Sequence, residues 1–587
     1  PTNYRILDTE EAILGCLEKL SSTGKVTGID FETDTRLGKS LWAHNANPLT
    51  VSLSQEEGVS YCIPLAHPES SFLSKLPWLY STLSNYFKDM HLVAQNGTFE
   101  NSCFSRWFSK DIKIKDDTLL QAYVKNEHGS HSLHSLIKEY YPAKQDHKEY
   151  YLSHPNIEND EMPLNELATA NLEDADYTLR LYNRFNQDLD SDDKRFYKDY
   201  MMGQFFPVVN EMIENGLTID LEYVRNIIPY YIQMERECEK TASDLFGINI
   251  NSSEQLSKAL LELGFILPHS EKKGHSANKE AIKHAKMYMS DNKKPILYFI
   301  EKSKEYAYIN RYYLSKLFNW IGEDGKCHPN YKLFGTISGR LSSNEPNAQN
   351  LGKRGDIKKI FTAKDGWFVA LDFSSHEYRV FSMLAGDTGL MDKFKKGLHP
   401  HLVNASMIFS KPQNKVTKEE RFVAKILGFG CLYGSGAKTQ SKQLGVSKSR
   451  AEELVKWYKQ TYPSVNKWYN WSTNEFQNNG YFTLPIGRKW HNNNLGFSAQ
   501  VNLPIQGLAG YICLMGAYKL LQKKYKIVQS VHDSIVLELD HLPTSDEIYD
   551  IYTTAIDITV PGYEHIKGLF DAEIAIGKNL GELVTLE

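Results

Sequence analysis

Two aspartates stand where apolar strand segments run out, and no other feature constrains the fold as tightly. Trp367-Phe-Val-Ala-Leu371 is an apolar run that ends in Asp372. Ile527-Val-Gln-Ser-Val531 and Ser534-Ile-Val-Leu537 flank His532-Asp533, the pattern of a β-hairpin with its acid at the tight turn. A carboxylate at the end of a buried strand is costly to leave unpaired.

A third element is helical. Arg421, Lys425, Phe429 and Tyr433 recur every four residues. Each step of four drifts by only about 40°, so all four share one broad face about 18 Å long. That length suits a nucleoside triphosphate, with cations meeting phosphates and aromatics meeting sugar and base. Gly428 and Gly430 lie on the same helix, where each costs about 1 kcal/mol against Ala. Stability does not explain them, so a close backbone approach to a ligand, or a hinge, is expected.

The length of 587 residues allows about three to five compact units. Hydrophobic residues at 41% and charged residues at 24% exclude a disordered chain. The longest apolar run, Leu503 to Tyr518, is interrupted by Gln506 and stops at Lys519, so no membrane span is expected. Seven scattered cysteines without a CxxC pair suggest reduced thiols, a cytoplasmic compartment and no structural zinc.

Strand patterns at Val26–Glu32 and Leu49–Leu53, with amphipathic helices at Glu10–Leu20 and Leu164–Phe185, make the first 185 or so residues an α/β domain. Long helices follow at Tyr197–Asn215, Ser253–Leu263 and Lys294–Leu317, with the polar segment Ser270–Lys279 as an exposed loop. Strands and helices mix again from residue 330.

Asp30 and Glu32 lie two apart on a strand, which puts both carboxylates on one face and Ile29 and Phe31 on the other. Paired acids repel, and a divalent metal ion is their natural occupant. Asp30-Phe-Glu32, Gln95-Asn96 with Phe99-Glu100, and Glu173-Asp174-Ala-Asp176 resemble, in order, the three motifs of DEDD-type 3′–5′ exonucleases. The resemblance implies an RNase H-like fold in which Asp30, Glu32, Glu100 and Asp174 hold two divalent metals. Two departures stand out. Glu100 replaces the usual Asp, and Ala170 and Thr169 occupy the places of the Tyr or His that orients the attacking water.

The second half closely resembles the polymerase domain of family A, bacterial DNA polymerase I-like, enzymes. The blocks are Thr336-Ile-Ser-Gly-Arg340-Leu-Ser-Ser, Asp372–Arg379, Arg421–Gly434, Asn502-Leu-Pro-Ile-Gln506-Gly and Val531-His532-Asp533. The implied fold is an α/β exonuclease-like domain (1–188) followed by a right-hand α+β polymerase domain (189–587). Its thumb would cover about 205–325, its palm 326–385 and 485–587, and its fingers 386–484.

The implied function is template-directed DNA synthesis from dNTPs on primer–template DNA, with a 3′–5′ proofreading exonuclease as the second activity. By the same resemblance, Asp372 and Asp533 hold two Mg²⁺ ions (Mn²⁺ could substitute), with Ser534 where a Glu is usual. Arg421 and Lys425 meet the triphosphate, and Lys425 is also a proton donor to pyrophosphate. Phe429 packs on the nucleotide, Tyr433 lies near the templating site, His401 reaches the triphosphate and Glu377 is a steric gate against ribose. Phe429, having no hydroxyl, implies discrimination against dideoxynucleotides. Arg340, Arg488, Lys489, Asn502, Gln506 and His532 match primer- or minor-groove-contacting positions. Lys353-Arg354, Lys358-Lys359, Lys393–Lys396 and Lys523–Lys526 are candidate DNA-backbone contacts.

The spacing from Asp30 to Asp372 implies no room for the thumb insertion by which some phage enzymes recruit thioredoxin, and a 5′-nuclease domain is expected to be missing, which would fit a phage replicative enzyme. Glu377, Phe429 and the exonuclease blocks disfavour an RNA polymerase. Retention of Asp372, Asp533, Arg421 and Lys425 disfavours a non-catalytic DNA-binding module. A net charge of −5 is no guide to the partner, because only one groove need be basic.

Overall fold

The computed structural model describes residues 2–34, 46–143, 157–265, 294–350 and 355–586, with a few isolated positions between them. The Ser270–Lys279 loop and the Lys353-Arg354 pair fall largely or wholly outside the described residues.

The N-terminal unit is built on a six-stranded sheet: β1 (Asn3–Ile6), β2 (Val26–Thr33), β3 (Pro48–Glu56), β4 (Val59–Pro64), β5 (His91–Ala94) and β6 (Asp116–Asp117). The strand order is β1-β4-β3-β2-β5-β6. β2 runs antiparallel to β3, with Asp30 opposite Ser52 and Glu32 opposite Thr50. Ile29 and Phe31 are buried on the opposite face, as the period-two alternation requires. The helix Leu164–Asp188 packs across β2 and β3 and carries Asp174. Gly28 sets its distance: a Cβ there would stand 2.5 Å from the Ala175 carbonyl oxygen and 3.1 Å from Leu179 Cβ.

The helix expected over Tyr197–Asn215 is interrupted. Residues Phe196–Phe205 form wider π-type turns, and a regular helix resumes over Phe206–Asn215. Pro207 explains the change: it has no N–H to donate at the start of the second segment, and the Phe206 N–H reaches back five residues to the Met201 carbonyl. Beyond it, the helices Leu221–Phe246 and Lys294–Ile309 pack against each other around Tyr231 and Tyr306.

A second sheet is formed by β7 (Trp367–Phe373), β8 (Ile527–Val531), β9 (Ser534–Leu539), β10 (Ala572–Gly577) and β11 (Val584–Thr585), in the order β8-β9-β7-β10-β11 and antiparallel throughout. The apolar run around Leu503–Tyr518 belongs to the helix Phe497–Gln522, which is buried on nearly all sides against this sheet. Among the described residues no helix is long and apolar enough to cross a membrane, and the seven cysteines are all free and buried. A helical insertion between β7 and residues 481–491 contains Lys418–Leu432, which starts on a capping box made by Thr417 and Glu420.

Gly28→Ala should lower stability by about 1–3 kcal/mol, because the backbone carbonyl it meets cannot rotate away. Denaturant unfolding checks this, and an unchanged midpoint would show that the helix is not held at that separation.

Candidate active sites

The sheet register brings the two strand-end aspartates together. The Phe373 N–H, at the end of β7, donates to the Asp533 carbonyl at 2.9 Å. His532, at φ 53°, makes the left-handed turn between β8 and β9. Asp372 pairs with Ser534 on one side and with Glu573 on the other. Asp372, Asp533 and Glu573 line one side of a cavity of about 690 Å³ whose lining also includes Arg421, Lys425, Phe429, Tyr433 and His401.

The Asp372 carboxyl reaches the cavity surface, yet the surrounding protein removes enough water to raise its pKa to about 6. Asp533 and Glu573 push the same way, and Lys425 opposes them. Asp533 Oδ1 is buried without a hydrogen-bond partner among the described residues. Oxygen donors alone, one of them orphaned, fit a hard divalent cation such as Mg²⁺. Glu573 was not among the residues expected from sequence. Its only local signal is a lone acid in the apolar run Ala572–Ile576.

The helix Lys418–Leu432 presents its four-residue repeat as expected. Arg421 and Lys425 are exposed, Phe429 is half-buried, and Tyr433 caps the end. Gly428 and Gly430 serve packing rather than a ligand. A Cβ on Gly428 would stand 1.7 Å from the Tyr378 hydroxyl, and one on Gly430 1.4 Å from the Gln440 amide. The Tyr378 ring then meets Phe429 edge-on at 5.1 Å and His401 at 5.0 Å.

His401 is buried, with Nδ1 unpartnered among the described residues. Burial, then Lys425, Arg421 and His399, lowers its pKa to about 3, so the imidazole is neutral near pH 7. Glu377 is buried and accepts hydrogen bonds from the Arg340 guanidinium and the Tyr433 hydroxyl. Burial raises its pKa to about 7; Arg340 opposes this and Asp533 adds to it.

The positions expected to contact DNA divide. Asn502 and Gln506 lie one turn apart on the helix Phe497–Gln522, with Asn502 Oδ1 buried and without a partner among the described residues, and His532 is exposed at its turn. Arg340 is committed to Glu377. Arg488 and Lys489 are corrections. Arg488 is fully buried, with its guanidinium 4.8 Å from the Tyr123 ring centroid and 3.8 Å from the Glu127 carboxylate of the N-terminal unit. Lys489 is 5% exposed and ion-paired with Asp190 and Asp193. Neither is open to a duplex. Of the basic stretches, Lys359, Lys523 and Lys526 are ion-paired with Glu582, Asp550 and Glu538.

In the N-terminal unit, Asp30, Glu32 and Asp174 each offer an oxygen, and the three lie within 4.8 Å of one another. Asp30 is pushed well above the carboxylate range by burial first, then by Asp174, Glu32 and Glu100. Such a cluster is stable only with a cation or with protons, and its donors suit a divalent ion. Glu100 is buried on the first turn of Gly97–Trp107, close enough to raise Asp30 but not part of that triplet. Its Oε2 has no hydrogen-bond partner among the described residues. Ala170 is buried, and the Thr169 hydroxyl is turned back to the Asn165 carbonyl at 2.7 Å.

Two family models match the chain: "DNA polymerase family A" over residues 225–581 and "3′-5′ exonuclease" over residues 4–190. DNA polymerase I of Borreliella burgdorferi is 26% identical over 99% of this chain and 65% of its own length. The Pseudomonas aeruginosa enzyme is 26% identical over 87% of this chain and 59% of its own length. The thermostable DNA polymerase I of Thermus aquaticus is 29% identical over 56% of this chain and 42% of its own length. The chain therefore spans less than two thirds of the length of these relatives. A solved polymerase domain of Pol1 from M. smegmatis, in complex with DNA primer-template and dNTP, shares the fold at TM-score 0.79 and 20% identity, covering 99% of both chains.

Glu377 gives a pH prediction. Below pH about 4.5 its carboxyl is protonated in folded and unfolded chain alike; up to about 7 the folded chain binds the extra proton, so stability falls as pH rises through that window. In EDTA, Glu377→Gln should remove this part of the pH slope, at most about 3 kcal/mol. Thermal melts at pH 4.5 and 7.5 measure it; identical slopes for the two proteins would refute the assignment.

Proposed function

The chain belongs to DNA polymerase family A and carries a 3′–5′ exonuclease domain ahead of the polymerase domain, and from that premise we propose that it extends a primer 3′ end on a DNA template with dNTPs. The observation that carries this reading is the single cavity lined by Asp372 and Asp533 together with the cation-and-aromatic face of Lys418–Leu432.

Arg421 and Lys425 hold the triphosphate by charge-assisted hydrogen bonds. Phe429 gives the sugar and base an apolar face, already braced by Tyr378. Neutral His401 can donate one N–H to a phosphate oxygen without adding charge. Asp372 and Asp533, with Glu573 beside them, would hold the Mg²⁺ ions, which when bound polarise the α-phosphate and lower the pKa of the primer hydroxyl. The primer 3′-hydroxyl gives up its proton to solvent as its oxygen bonds to the α-phosphorus, the bond to the bridging oxygen of pyrophosphate breaks, and Lys425 gives that oxygen a proton. Glu377, fixed by Arg340 and Tyr433, fills the space a 2′-hydroxyl needs. Asn502, Gln506 and His532 meet the duplex, whose affinity falls steeply with salt. In the N-terminal unit, Asp30, Glu32 and Asp174 would hold a divalent ion, which when bound would activate a water for 3′–5′ hydrolysis of the same strand.

Asp372→Ala or Asp533→Ala should reduce primer extension to background while leaving the fold intact; measurable turnover in either variant would overturn the assignment. The unmutated chain should strongly prefer deoxy- over dideoxynucleotides, and Phe429→Tyr should relax that preference in a competition assay. Equal use of both by the unmutated protein would count against the placement of Phe429.

A further inference from the structure

Asn171 belongs to none of the exonuclease blocks, yet it touches their first acid. It is fully buried on the helix Leu164–Asp188, three positions before Asp174. Its Nδ2 donates to Asp30 Oδ2 at 2.7 Å and to the Asp30 carbonyl at 3.2 Å. Its Oδ1 accepts from the Ser52 hydroxyl at 2.7 Å and the Thr50 hydroxyl at 3.0 Å. An ionised carboxylate only accepts, so the NH₂ end of the amide must face Asp30, and the two hydroxyls then have the carbonyl end to bind. Ser52 and Thr50 are the β3 partners of Asp30 and Glu32. The amide therefore ties helix, β2 and β3 together at the acid cluster.

We infer that Asn171 is a positioning residue for a divalent-cation site at Asp30, Glu32 and Asp174, holding one oxygen of Asp30 so that the other faces the ion. The inference rests on the reading of this cluster as a metal centre. Three carboxylates within 4.8 Å repel one another, and an unrestrained Asp30 would rotate away from its neighbours. Asn171, a side chain itself anchored by Ser52 and Thr50, donates to Asp30. Asn159 does the same at the next acid, with its Nδ2 3.1 Å from Glu32 Oε2 and 3.0 Å from the Thr33 carbonyl. The amide partners act on the ligands and touch no reacting atom, so the site keeps its hold on a cation although Ala170 and Thr169 bring no group to a water.

The test uses the full chain carrying Asp372→Ala and Asp533→Ala, which removes the cleft acids, and reads Mn²⁺ binding by calorimetry. Asn171→Ala should weaken Mn²⁺ by about 10–100-fold, the usual effect of losing a hydrogen-bonding support behind a metal ligand. Thr50→Val with Ser52→Ala, which leaves Asn171 in place but unanchored, should weaken it in the same direction by less. Circular dichroism in EDTA identifies variants that remain folded; a purely structural role would lower the melting temperature without changing Mn²⁺ affinity of the folded protein. Unchanged affinity in folded Asn171→Ala, or in the anchor variant should Asn171→Ala not fold, overturns the inference. No Mn²⁺ uptake by the parent chain would instead overturn the metal-centre reading itself, and the inference with it.

Discussion

The cleft depends on backbone register that sets carboxylates of like charge side by side. Asp372, Asp533 and Glu573 are not close because they attract; backbone register puts them there. At 4 Å a pair of unit charges repels by about 1 kcal/mol in water and about 4 kcal/mol at an effective dielectric of 20. Against that, Phe368, Val369 and Leu371 on β7 and Ile535 and Leu537 on β9 are buried, each contributing about 1.5–3 kcal/mol. The apolar part of each strand outweighs the repulsion at its end. Burial first, and the charges of Asp533 and Glu573 second, raise the pKa of Asp372, and Lys425 offsets part of the rise.

A buried charge pair joins the N-terminal unit to residues 488–491, ahead of the helix Phe497–Gln522. Arg488 sits among Tyr123, Trp490 and Phe196 with Glu127 as its counter-charge, and Glu127 also accepts from the His491 backbone at 2.7 Å. A buried pair of this kind adds little net stability but strongly penalises any docking that separates the partners. Tyr123 also donates to the Thr336 carbonyl at 2.8 Å. Thr336 opens the loop that carries Arg340, and Arg340 holds Glu377. Glu377 is thus connected, through three hydrogen-bonded or ion-paired steps, to a helix of the exonuclease domain.

What could be read from the sequence was local. The hairpin at His532-Asp533, the face formed by Arg421, Lys425, Phe429 and Tyr433, and the shared side of Asp30 and Glu32 follow from periods of 2 and 3.6 residues and appear in the structure as expected. What could not be read depends on partners far along the chain. Glu573 matters only because β10 pairs with β7, and Asn171 only because its helix crosses β2 and β3. Arg488 and Lys489 were expected at DNA-contacting positions by resemblance, and the residues around them carry no sign of the acids at 127, 190 and 193 that pair with them. Gly428 and Gly430 were correctly singled out as unexplained by helix stability, but the space they clear is filled by Tyr378 and Gln440 rather than by a ligand.

The two acid centres also explain how a chain with a net charge of −5 can suit a polyanionic partner. Several acids are already paired within the fold: Glu377 with Arg340, Glu127 with Arg488, and Asp190 and Asp193 with the one cation of Lys489. Asp30 keeps one oxygen tied to an amide. The cations of the helix Lys418–Leu432, Arg421 and Lys425, are by contrast exposed to the cavity. Formal charge counts both groups equally, whereas an incoming phosphate meets only the second. Local exposure, set by which side chains the fold has already paired, decides the sign of the field in the cleft.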